Sequence, residues 1–365
     1  MRHPDATKVM QRTIDSMQPG SVLTISAGNY QINSDRVFCP NVDNLTIQGE
    51  GDNTVLDATA NPLNDNPTSS ANANLAILGR INEDNTYQIG QKMINNLTIR
   101  NMRLIGNQTG PKYLANNLNM CGIRADNVNN LLIENIHTNF TGTSIQCRNV
   151  NGGAIRGCKS YNDAAGPTIT SNTAGPNAGT HNIIVENCYV YRSMDDSFAV
   201  LGGFSTGTTN IELRNCIADK GSEPDSSSPS IGASCYKLDS TGTGKVHDVK
   251  YLNCKAYNGK VGIGRPEIQG GFINGDPKVY NITFQDCVAT NCKIGYEISG
   301  MNNSLKNCAA TNCDMGIFVT PNATRTNIEE ISYSGTAQPT AGILRLINGK
   351  YSFWDEIAKK WHDNL

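Results

Sequence analysis

The stretch Tyr191 to Val200, YRSMDDSFAV, sets Asp195 beside Asp196 just ahead of an apolar run. Two carboxylates held close raise one pKa and can divide the work of acid and base. Inverting cleavage of a glycosidic bond uses such a pair with its carboxyls about 6.5 to 9.5 Å apart. Consecutive strand residues point to opposite sides. A partner from another part of the chain is therefore expected, and Asp239, Glu223 and Asp225 are the candidates. A second chemistry is open to the same region, because elimination or epimerisation of a uronate needs a base and a cation to neutralise the sugar carboxylate. Lys237 and Arg265, and Arg124 nearer the N-terminus, fall where strand alternation points side chains outward, while Arg192, Tyr191 and His181 lie near the acid pair. Asp195, Asp196, Asp225 and Asp239 could together take Ca2+, although no cofactor is required by the expected chemistry. The plainer alternatives are an Asp turn bonded to its own backbone and charges that solvate an exposed sheet. His247 reads as a surface residue.

Those side chains need a frame, and the sequence repeats. Short apolar runs such as GIRAD, TSIQC, SFAVL, CYKLD, IGYEIS and GIFVT are each followed by a second run ending in Asn or Asp and then Cys: NIIVENC, NIELRNC, DVKYLNC, NITFQDC. Cys188, Cys216, Cys254 and Cys287 share that position, and Cys158 and Cys308 keep the same register. Ile123 and Ile145, like Tyr296 and Ile317, stand one short period apart, which is the minimal turn of a parallel β-helix. The leucine-rich pattern with a similar period is absent, and a β-sandwich would not hold one register. Longer intervals carry Gly-, Ser- and Pro-rich insertions at 58–93 and 202–234, loops suited to wall a groove. A solenoid needs capped ends. Residues 1–20 are expected to form an N-terminal cap helix, with Val9, Met10, Ile14 and Met17 on its apolar face and Pro19-Gly20 to stop it. Residues 351–365 are expected to form a C-terminal helix, with Phe353, Ile357 and Trp361 at four-residue steps. The whole of 1–365 reads as one all-β domain, a right-handed parallel β-helix whose coils run over 21–350.

Composition agrees with a turn-rich β protein: 35 Gly and a 6% share of aromatics. A formal charge of -2 without a basic run does not signal nucleic-acid binding, and no segment reaches membrane-spanning length. The first residues lack the apolar run of a secretory leader. The 12 cysteines, most at one repeat position, are expected to stack as small buried thiols, since CVATNC and CAATNC exceed usual zinc spacing and interleave no His.

The opening ATKVMQRTIDSMQPGSVLTISAGNYQI and the following NLTIQGEGDNTVLDA resemble the cap and first coils of the pectin-lyase-like right-handed parallel β-helix proteins, a group of pectate and pectin lyases, polygalacturonases, uronan epimerases and phage tailspikes. Locally the chain is similar to the polygalacturonase-type glycoside hydrolases. Asn172 and Thr173 match the first two residues of the family's Asn-Thr-Asp, Ala174 stands at its Asp, and Asp195 follows one coil later, as the family's acid pair does. Lys237 stands at the Arg of the family's Arg-Ile-Lys segment, and the interval 217–234 contains no Gly-His-Gly. The resemblance implies an enzyme that degrades or modifies a polysaccharide, with Asp195, Asp196, Asp239 and Lys237 catalytic and Arg124, Asn172, Arg192 and Arg265 on the substrate. Its other forms are a lyase, a C5-epimerase or a non-catalytic adhesive β-helix. It further implies a monomer or homotrimer that is secreted or carried on a virion.

Overall fold

The computed structural model describes all residues except 1, 4–5, 33–35, 39–41, 61–75, 81–92, 107–120, 172–178, 194, 204–206, 221–233, 241–243, 260–269, 275–277, 320–322, 335–343, 348–349, 356–359 and 364–365. The described strands pair in parallel from coil to coil and form a β-helix with three sheets. Consecutive strands of the first sheet include Thr168–Thr170, Phe198–Leu201, Ser234–Asp239, Gly270–Asn274 and Ile294–Ile298. The second sheet holds Thr180–Glu186, Thr208–Arg214, Val246–Leu252 and Val279–Gln285. The third holds Lys159–Tyr161, Tyr189–Tyr191, Ile217–Asp219 and Lys255–Tyr257. Ile123 pairs with Ile145 and Tyr296 with Ile317, the register that the sequence spacing predicts.

Alternation decides what each strand buries. Inward residues such as Ile183, Val185, Val190, Ile211 and Leu213 join one apolar core, and the intervening residues face outward. Behind the middle coils of the first sheet this core is aromatic. Phe198, Tyr236, Phe272 and Tyr296 stack with centroids 5.1, 4.6 and 5.0 Å apart. Tyr236 Oη donates to the carbonyl of Cys216 at 2.7 Å. That bond satisfies its polar tip inside the core.

Each coil turns three corners, and at most of them one residue adopts a left-handed backbone, as at Asn130, Asn135, Asn187, Asn215, Asn253, Asn258 and Asn291. Asn tolerates this conformation better than other residues with a side chain. Its amide then reaches the same rung one coil earlier: Asn130 donates to Asn96, Asn135 to Asn101 and Asn291 to Asn258, each at 3.1 Å. In the coil of Thr143–Tyr161 the equivalent rungs are Gly152 and Gly157, with φ of +76° and +58°.

The cysteines lie along the inside as expected: eleven of the twelve are described, all buried and none in a disulfide. In the main column each thiol donates to a carbonyl of the preceding coil, Cys188 to Ile155, Cys216 to Val185 and Cys254 to Leu213.

The ends differ from expectation. The helix spans Thr7–Asp15, shorter than 1–20, and buries Met10 and Ile14 while Val9 is 66% exposed. Val9 adjoins Met10 in sequence, and a helix rotates neighbours about 100° apart, so both cannot face the coil. The described residues of the C-terminal segment are strands, not the expected helix. Lys350–Asp355 pairs antiparallel with Leu344–Ile347 and with Lys360–Asp363, placing Trp354 opposite Trp361 in register. A four-residue step fits the strand period of two as well as the helical one, and Tyr, Phe and Trp favour strands. Among the described residues no helix is long and apolar enough to cross a membrane.

Candidate active site

The turn entering the first sheet before Phe198–Leu201 holds the acid pair, so Asp195 and Asp196 are turn residues and not consecutive strand residues as expected. Their backbone is pinned to the preceding coil. Asp195 N donates to the Ala164 carbonyl at 2.6 Å, and Gly166 N donates to the Asp196 carbonyl at 3.0 Å. Ser193 Oγ donates to the Asp195 carbonyl at 3.0 Å and meets Ser197 Oγ at 2.7 Å. The side chains diverge in environment: Asp196 is buried and Asp195 is partly exposed.

The partner comes from the next coil, where Phe198–Leu201 pairs with Ser234–Asp239 and Lys237 stands beside Ala199. Ser234 donates to Asp196 Oδ1 twice, from its backbone N at 3.0 Å and from Oγ at 2.9 Å. Lys237 Nζ lies 3.3 Å from Asp196 Oδ2 and 3.9 Å from Asp239 Oδ2. Lys237 and Asp239 are two apart on one strand and so share the outer face. Asp239 is the more open of the two carboxylates that Lys237 reaches.

Electrostatics separates the acids. Burial pushes the Asp195 carboxyl well above the ordinary carboxylate range, the neighbouring Asp196 charge pushes it further, and Lys237 opposes both. Burial also pushes Asp196 up, against the Lys237 ammonium and the Ser234 hydrogen bonds. The Lys237 ammonium is held above its usual range chiefly by Asp196, against its own burial. The cluster thus sets a carboxyl biased toward its protonated form, Asp195, beside the Asp196–Lys237 contact.

The remaining expected residues do not converge on this point. Arg124 lies on the same outward column as Lys237, four register steps away through Gln146, Thr168 and Ala199, and so well outside contact range. It is 3% exposed, not open as expected, because its guanidinium forks onto Asp126 with Nη2 2.8 Å from Oδ2. Arg192 is exposed and left-handed at the corner between the third and first sheets, its N bonded to the Asp219 carbonyl at 2.9 Å. Asn172, Arg265, Glu223 and Asp225 lie outside the described residues. His181 and His247 sit on the second sheet, where His247 stacks on Tyr280 and bonds Asp248 at 2.7 Å. Among the described residues no group of three or more His, Cys, Asp and Glu is arranged to hold a metal ion, and the Lys237 ammonium supplies the positive charge between Asp196 and Asp239.

Two residues escaped sequence reasoning. Ser234 has no motif signal. Glu297, 4% exposed, occupies the Lys237 column two register steps further on, through Ile273. Aligning CYKLD with IGYEIS on Tyr236 and Tyr296 would have found it.

No protein-family model matches the sequence, and no curated protein matches it. Solved structures do. The surface adhesin PfbA of Streptococcus pneumoniae is similar over 99% of this chain and 95% of its own, with a TM-score of 0.60 at 12% identity. ORF18 of Geobacillus virus E2 gives 0.58 at 14% identity over 96% of this chain, which spans 63% of that viral protein. A polygalacturonase from Erwinia carotovora gives 0.53 at 11% identity over 92% and 93% of the two chains. The fold is therefore a parallel β-helix, shared here with a polygalacturonase, a surface adhesin and a viral protein.

Proposed function

We propose that the protein is a glycoside hydrolase acting on a polysaccharide, with uronate-containing polymers as the favoured class. The observation that carries this reading is the partly exposed Asp195 carboxyl beside the buried Asp196–Lys237 pair. In the proposed step Asp195 gives its proton to the glycosidic oxygen as the bond to the anomeric carbon breaks. Water attacks that carbon and passes its proton to Asp239, the more open carboxylate. Lys237 lies between Asp196 and Asp239 and opposes the upward push of burial on Asp196, and Asp196, held by Ser234, keeps Lys237 in place. A lysine held protonated by two carboxylates is a poor base, which disfavours elimination through Lys237. A polysaccharide substrate places the protein outside the cell or on a virion.

A second reading, a binding-only β-helix, is favoured by one observation: both oxygens of Asp196 are already engaged by Ser234 and Lys237, as in a structural ion pair. The two readings separate on Asp195→Asn. Reducing ends and unsaturated uronates are followed together on polyuronates and neutral polysaccharides. Hydrolysis predicts reducing ends without unsaturated product, and a fall of roughly 100-fold to 10,000-fold in the variant. Absence of turnover by the parent on every polymer would favour binding alone.

A further inference from the structure

The outer face of the third sheet departs from the repeat in a confined region. Toward the C-terminal coils its two outward columns hold Val288 and Ala309 in one and Thr290 and Thr311 in the other, the default filling of a solvated sheet. In the coils from Lys159 to Tyr257 the same positions are mostly tyrosines and lysines: Lys159, Tyr189, Ile217 and Lys255 in the first column, Tyr161, Tyr191, Asp219 and Tyr257 in the second.

The tyrosines form a group. Tyr189 and Tyr191 lie nearly parallel, 6.4 Å between centroids and 16° between planes, and Tyr161 meets them at 5.9 and 6.5 Å. All three are partly exposed, as is Tyr257. Lys220 Nζ stands 5.6 Å over the Tyr191 ring.

The adjoining corner departs from the rule as well. Asn258, Asn291 and Asn312 fill it in later coils, and Asn162 in one earlier coil, all with positive φ. The corner position one coil before Asn162 and the two after it hold Phe140, Arg192 and Lys220, at φ of 57°, 59° and 54°. A bulky aromatic in this conformation is strained. Phe140 is also 36% exposed. An exposed aromatic ring and two cations thus stand where Asn would be unstrained. These are positions where the fold alone does not explain the residue.

We propose that this face, centred on Tyr161, Tyr189 and Tyr191, is a second binding surface for an acidic polysaccharide, separate from the acid cluster. Partly exposed rings offer apolar faces for the C–H faces of pyranose rings, with polar tips for hydroxyls. Lys159, Lys220, Lys255 and Arg192 surround them and supply the charge that uronate carboxylates require. Asp219 is the single acid in these rows of the two columns and accepts a hydrogen bond from Asn258 at 2.8 Å. Coils rise about 4.8 Å, so successive rows match the advance of a sugar chain along the solenoid. The proposal rests on the polysaccharide reading above and deepens it by assigning the acidic polymer a second surface.

Affinity electrophoresis of the full chain through gels containing polygalacturonate, alginate or neutral dextran tests it. The variants are Tyr189→Ala with Tyr191→Ala, Lys159→Glu with Lys255→Glu, and Asp195→Asn, each checked by its thermal unfolding midpoint. The parent and Asp195→Asn should be retarded alike by a polyuronate. The tyrosine pair and the lysine pair should each bind at least five-fold more weakly, with kcat on short oligomers kept and KM for polymer raised. Parent-like retardation of both folded pairs overturns the surface and leaves hydrolysis standing if Asp195→Asn has lost turnover. Equal retardation by dextran, indifferent to the lysines, overturns the acidic assignment. A parent that neither binds nor cleaves any polymer overturns both readings.

Discussion

The outer faces of the first and third sheets share one coil rise and one alternation of side chains, yet use them oppositely. On the first sheet the polar outward groups are drawn in: Asp196 is 5% exposed and Arg124 3% exposed, each locked in an ion pair. On the third sheet the outward tyrosines stay partly open to solvent, with Lys220 over one ring. The inward layers differ too, stacked aromatics behind the first sheet and the small residues Val190, Ala218 and Ala256 behind the third. The difference teaches that in a solenoid the chemistry is set by how deeply a face is covered. Burial moves proton affinities and holds geometry, as catalysis requires, while an open face leaves rings and charges accessible to a ligand and suits recognition.

The comparison is broken most directly in the stack behind the first sheet. Tyr236→Ala should lower stability by about 3 to 5 kcal/mol in denaturant unfolding, the loss typical of a large aromatic removed from a core. A loss similar to that of an exposed tyrosine would mean that the stack does not stiffen the acid site. Next in size is Lys237→Met, which leaves Asp196 buried without its cation and should cost about 3 kcal/mol at neutral pH. Because the orphaned carboxyl then takes a proton more readily, the loss should shrink as pH falls, and pairing the change with Asp196→Asn should recover much of it.

A third test uses Asp163, fully buried where the third sheet turns into the first. Burial pushes its carboxyl up to about 6, against hydrogen bonds from Thr138, Ser160 and both N and Oγ of Thr141. A carboxyl raised in the folded state stabilises below its unfolded pKa, and that contribution is lost as pH rises through the folded value. Relative to the parent, Asp163→Asn should therefore gain about 3 kcal/mol between roughly pH 4 and pH 7. A pH-independent difference would show that the four hydrogen bonds keep the carboxylate ionised. The smallest effect is expected on the open face, where Tyr189→Ala should change stability by less than about 1 kcal/mol while weakening polyuronate binding.

Much of this frame is legible in the residues. The Cys, Asn and Ile registers fix the coil period, and strand alternation places Lys237 and Asp239 on one face. Arg124 and Asp126 are also two apart, so their shared face is readable, but their burial is not, because cover comes from elsewhere in the chain. The acid pair reads as part of a strand because its apolar run begins at once, whereas the strand starts at Phe198. The C-terminal segment misleads because a four-residue step satisfies two periods. The tyrosine surface is invisible for a different reason: Tyr161, Tyr189, Tyr191 and Tyr257 belong to three-residue strands, too short to show any period.

The amide rungs run one way. Asn96 donates to Asn44, Asn182 to Asn151 and Asn302 to Asn281, always from the later coil to the earlier. Among the described residues the rungs therefore carry a polarity along the axis, amide donors pointing toward the first coil and side-chain carbonyls toward the last. A head-to-tail contact between two such rods would continue the rungs, and a head-to-tail contact does not close on itself. The short helix that buries Met10 and Ile14 over the first coil lies at the end toward which the amides point, so it covers a strand edge as well as sealing the core.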